Sequence, residues 1–78
     1  MTTMSMLDID EAGDEIVRLR NQLGLTEVQL ARRLMANPQL TTILGKAPTA
    51  RLIFEAEHKQ SLPSVANTLI IFMKQLLT

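Results

Sequence analysis

The side chains able to do chemistry in this chain are bases and neutral hydrogen-bonding groups, spaced through its first two-thirds. Arg18, Arg20, Arg32, Arg33 and Lys46 supply positive charge, and Gln39, Thr41 and Thr42 form a neutral polar row between them. A nucleic-acid surface needs both kinds: cations that displace counterions from phosphates, and donors and acceptors that read base edges. Candidate contacts are therefore Arg20, Thr26, Arg32, Arg33, Gln39, Thr41, Thr42 and Lys46. Helical geometry limits how many can share a face. Arg32 and Arg33, adjacent in sequence, diverge by ~100° around a helix, and Arg18 and Arg20 by ~200°. The competing reading is that these arginines are solvated helix faces.

Catalytic and metal chemistry lack their residues. His58 stands alone between Glu57 and Lys59, and Ser5, Ser61 and Ser64 have no base nearby to activate a hydroxyl. Asp8, Asp10 and Asp14 begin like a calcium loop, but Ala12 stands where a ligand is wanted and Leu19 where a bidentate Glu is wanted. There is no cysteine and no phosphate-cradling glycine loop. The expectation is a non-enzyme without metal or cofactor.

Charge qualifies the nucleic-acid reading. Eight bases balance eight acids over 78 residues, so the net charge is zero. The balance is uneven along the chain. Residues 1–15 hold five acids and no base, whereas residues 16–78 hold all eight bases against three acids. Acids at the start of a first helix complement the positive end of its dipole. They can also be read as an arm shielding a basic face. On this reading residues 1–10 form a mobile acidic arm and residues 11–78 a single helical domain. A domain this short buries only ~60% of its unfolded surface, and no disulfide supports it. The longest apolar run, residues 69–73, is five residues where a membrane span needs ~20, and the N-terminus lacks a basic, apolar leader. A soluble cytoplasmic protein with no membrane partner is expected.

The elements that must position these groups follow from caps and periodicity. Ala12, Ile16, Leu19 and Leu23 make one face of a helix over residues 11–23, stopped by Gly24. Thr26 and Gln29 form a capping box for residues 27–35, with Leu30, Ala31 and Leu34 inward. Asn37 and Pro38 open a third helix, Pro38–Leu44, closed by Gly45. Pro48 or Thr49 opens a fourth, to about His58, and Ser61, Pro63 and Ser64 turn into a last helix over residues 64–77. No two-residue periodicity suggests a strand. The fold expected is all-α, a compact bundle of five short helices. The last helix carries nine apolar residues in fourteen, more than one packing stripe requires. It either sits centrally or offers a homodimer contact through Leu69, Phe72, Met73 and Leu76, the reading preferred from sequence.

Residues 19–34, LRNQLGLTEVQLARRL, resemble the first two helices of the lambda-repressor-like (Cro-type) helix-turn-helix family. The resemblance rests on Leu19, Arg20, Leu23, Gly24, Leu25, Thr26, Leu30, Ala31 and Leu34. It implies a small, dimeric, DNA-binding transcription regulator whose partner is double-stranded DNA. Continued without a gap, it makes Pro38–Leu44 the groove-reading helix. With an insertion, residues 51–59 take that role and bring in Arg51, His58 and Lys59. The ungapped register is preferred because the Asn37-Pro38 start follows at the expected distance. The chain departs from the family at Met35 and Ala36, where glycine and a branched residue are usual, and at Glu27, where glutamine is common. Glu27, the near-neutral pI and the apolar last helix favour an alternative: a phage- or plasmid-type protein-protein interaction module that keeps the scaffold without binding DNA.

Overall fold

The computed structural model describes residues 6–78, which form five helices and no strand. Each helix but the last starts where the sequence supplies a side-chain partner for its free N–H groups. Helix α1, Ile9–Leu23, is capped by Asp8, whose carboxylate accepts from the Glu11 N–H at 2.8 Å. It ends at Gly24 (φ 70°), beyond which the Leu25 N–H donates to the Arg20 carbonyl at 3.2 Å. Helix α2, Glu27–Met35, opens with the full capping box of Thr26 and Gln29. Helix α3, Pro38–Leu44, has Asn37 as cap and Gly45 (φ 73°) as stop. Thr49 caps α4, Ala50–Glu57, and α5 runs Pro63–Leu76.

Helix α1 starts two residues earlier than the periodicity predicts, so the expected arm is shorter. Leu7 and Ile9 pack against the core, and the Asn67 side chain binds the Leu7 backbone twice. Asn67 Oδ1 accepts from the Leu7 N–H at 3.0 Å and Asn67 Nδ2 donates to the Leu7 carbonyl at 2.8 Å. A contact across sixty residues leaves no periodic trace. The remainder of that arm, residues 1–5, lies outside the described residues.

The core is aliphatic, with Phe72 its one aromatic member. Helices α1 and α5 make the most extensive contact, α4 lies against both α1 and α2, and α3 bridges α2 and α5. This corrects the expected dimer face. Leu69, Phe72 and Met73 are buried within their own chain, and Leu76 packs partly against the same cluster. The eight apolar residues that fall within α5 exceed one stripe because neighbours cover the helix on more than one side, Ile71 alone of them being exposed. No helix among the described residues is long and apolar enough to cross a membrane.

Small residues set the closest approach. A Cβ built on Gly13 would lie 2.9 Å from the Ala56 carbonyl oxygen and 3.1 Å from that of Glu57. Glycine in α1 therefore lets α4's last turn press against its backbone, offsetting the helix propensity it forfeits. Gly13→Ala is expected to destabilise by about 1–3 kcal/mol, as overpacking does, despite alanine's ~1 kcal/mol propensity advantage. Urea unfolding followed by circular dichroism measures the sign.

Candidate nucleic-acid interface

The eight bases divide by whether the fold neutralises them. Arg18 is bound by Glu15 at 2.7 Å through two nitrogens, and Lys59 reaches Asp14 at 3.0 Å. Arg20, expected to meet DNA, is committed elsewhere. Its Nε and Nη2 donate to the two carboxylate oxygens of Glu57 at 2.6 and 3.1 Å, and Nη1 donates to the Leu25 carbonyl at 3.2 Å. The side chains are 20% and 4% exposed, and the carboxylate holds the Arg20 guanidinium pKa above its ordinary value. Arg20 is thus a structural group, which its spacing in sequence could not reveal because Glu57 is 37 residues away.

The remaining bases are exposed. Arg32, Arg33, Lys46 and Lys74 have no ion-pair partner among the described residues, and Arg51 has only a 3.4 Å contact to Glu55 while 87% of its side chain is exposed. Three of the sequence candidates, Arg32, Arg33 and Lys46, are in this group. No acid occurs between Glu27 and Glu55, so the stretch from α2 beyond its first residue to the first turn of α4 carries Arg32 and Arg33 on α2, Lys46 in the α3–α4 connection and Arg51 on α4 unopposed in sequence.

The neutral candidates are less free. Thr26 Oγ1 is occupied as the α2 cap, Thr42 Oγ1 donates to the Pro38 carbonyl at 3.1 Å, and Thr41 is half-buried. Of that row only the Gln39 side chain is exposed with no partner among the described residues, and the nearby Ile43 is 61% exposed. Helix α3 therefore presents one amide, a hydroxyl bonded within its own helix, an isoleucine and no charge.

Helix α4 presents more. Arg51, Phe54 and His58 lie at i, i+3 and i+7 on its exposed side. The Phe54 and His58 rings stack at a centroid distance of 4.0 Å and 25° between planes. His58 Nδ1 sits 2.9 Å from the Phe54 carbonyl. A carbonyl only accepts, so Nδ1 carries a proton, and Nε2 is an acceptor when the ring is neutral. Beside this row, a groove of about 470 Å³ lies between α4 and the start of α5, lined by Lys46, Leu52, Glu55, Lys59, Ser61 and Val65 among others. Among the described residues it adjoins the only helix start without a capping side chain, since Leu62 has none to offer and Pro63 has no N–H. Ser61 Oγ, shielded at the same junction, has no hydrogen-bond partner among the described residues. Leu62 ahead of Pro63 is the sequence signal for an uncapped start.

Glu27 joins the Arg20–Glu57 corner. Burial raises its carboxyl pKa above the usual carboxylate range, the neighbouring Glu57 adds to the rise, and Arg20 and His58 oppose it. Compared with protein-family models, with curated proteins and with solved structures, the chain gives no match. What stands is the class: an all-α bundle of five helices with an exposed basic stretch from α2 to α4.

Two outcomes test the corner. Arg20→Met should cost about 3–5 kcal/mol by leaving a buried carboxylate unpaired, and adding Glu57→Leu should recover most of that loss in a double-mutant cycle. For Glu27 the folded pKa lies above the unfolded one. As pH rises, the unfolded chain ionises first and Glu27 begins to cost stability, in full once pH exceeds the folded value. Glu27→Gln should therefore raise the melting temperature at pH 7, with the gain vanishing below about pH 4, where both states are protonated.

Proposed function

We propose that this chain is a small DNA-binding regulator of helix-turn-helix type in which α4, rather than α3, reads the groove. One observation carries the reading: the exposed bases without a close ion pair, Lys74 apart, concentrate in the acid-free stretch that holds Arg32, Arg33, Lys46 and Arg51. Phosphate neutralisation by such side chains supplies most nonspecific affinity.

The choice of α4 has its own support. The helix is capped, packs on α1 and α2, and is pinned at its end by Glu57, so its exposed row is held by a rigid base. Arg51 can donate to a guanine edge, Phe54 can meet a thymine methyl, and His58 Nε2 can accept. In this reading the uncapped start of α5, with the unpaired Lys46 beside it, holds a backbone phosphate. Zero net charge then reflects the acids of α1, most of them distant in sequence from the bases that matter.

A second reading, a protein-binding module on the same scaffold, is favoured by Val28 and Met35, which are 52% and 47% exposed at i and i+7 on α2. Fluorescence anisotropy with mixed-sequence duplex DNA separates the two. Binding should weaken steeply with salt, and Arg32→Gln with Arg33→Gln should flatten the log–log salt slope by roughly 2, one unit for each phosphate no longer neutralised. Arg51→Ala should weaken binding to a selected site by about 1–3 kcal/mol, and Gln39→Ala should leave it unchanged. No binding at low salt excludes the DNA reading, and a weakening on Gln39→Ala with none on Arg51→Ala returns the reading role to α3.

A further inference from the structure

We propose that the groove between α1 and α5 is a self-complementary docking surface for a second copy of this chain. It encloses about 530 Å³, with Met6, Leu7, Ile70 and Ile71 giving its apolar lining. Met6 is 59% and Ile71 51% exposed. Single exposed apolar side chains are ordinary on any surface. Here two of them converge on one groove beside Leu7 and Ile70, which makes a patch rather than scatter.

Charge identifies the occupant. Along the groove α1 contributes Glu11 and Glu15, and α5 contributes Lys74. Glu15 is engaged by Arg18, whereas neither the Glu11 carboxylate nor the Lys74 ammonium has an ion-pair partner among the described residues. In a two-fold interface the same patch meets itself rotated, so every contact occurs twice. Lys74 of one copy then reaches the partner's Glu11 while its own Glu11 receives the partner's Lys74, and Ile71 and Met6 close over the apolar lining between them. A groove of one sign would repel its copy. This one carries opposite signs on opposite walls.

The surface differs from the dimer face expected from sequence. Leu69, Phe72 and Met73 are spent on the core, and Ile71 lies on the other side of α5. The groove takes no residue from α2, α3 or α4, so a copy docked there leaves the basic stretch accessible. The inference does not depend on DNA binding, and its test contains no DNA.

Sedimentation equilibrium of the full chain, from about 1 μM to 1 mM, is the experiment. The wild-type mass should rise from 8.7 kDa toward twice that value with concentration. Ile71→Asp should remain monomeric with an unchanged circular-dichroism melt, since the side chain is half exposed. Glu11→Lys and Lys74→Glu should each raise the dimer Kd by more than about tenfold through like-charge contacts. An equimolar mixture of those two variants should form a heterodimer, because all four groups then pair with opposite charge. A wild type that stays monomeric overturns the proposal. So does a dimer indifferent to Ile71→Asp, or a mixture that stays dissociated.

Discussion

Arg20 and Glu57 hold the architecture at one point. Glu57 ends α4, where a negative charge meets the negative end of the helix dipole, and its side chain is almost wholly withdrawn from water. Both facts make that site a costly one for a side chain without a partner. The bidentate guanidinium offsets them, and the same arginine also binds the Leu25 carbonyl in the α1–α2 turn. One side chain thereby connects the end of α1, the approach to α2 and the end of α4. A pair this buried tolerates little displacement, because separating its partners strands a charge in a poorly solvated site. Gly13 makes the arrangement sterically possible by letting α4's last carbonyls rest on α1.

The rest of the charge layout is arranged around this corner. The bases on α1 and at the end of α4 are neutralised by acids of α1 or by Glu57, whereas those from α2 to the start of α4 are left facing solvent. A molecule neutral in sum therefore still presents bases that no acid of its own pairs closely. Local potential governs encounter with a charged ligand more than the total does, within a Debye length of ~8–10 Å. Zero net charge is therefore a poor argument against an anionic partner for this chain.

Helix α3 has the least to offer a ligand and a clear structural task. Its buried Leu40 and half-buried Leu44 fill the space between α2 and α5, and its two ends are closed by Asn37 and Gly45. It bridges α2 and α5, while α2 and α4, the two helices whose exposed bases define the interface proposed for this protein, pack directly on each other.

Where the helices start and stop was legible in the residues themselves. Thr26 with Gln29, Asn37 with Pro38, Thr49, Gly24 and Gly45 act within three or four residues, and the helices they bound begin and end within about two residues of where these signals put them. The start of α1 was not legible from periodicity, since the bond from Asn67 to Leu7 spans the chain. The helical class and the placement of Arg32, Arg33 and Lys46 on open surface could be anticipated, because local capping and charge pattern are nearest-neighbour physics. The fate of Arg20, the central position of α5 and the contrast between a nearly bare α3 and a well-furnished α4 could not. They depend on which surfaces meet, and an apolar side chain or a guanidinium looks the same in sequence whether its partner is solvent, another chain or a carboxylate 37 residues away.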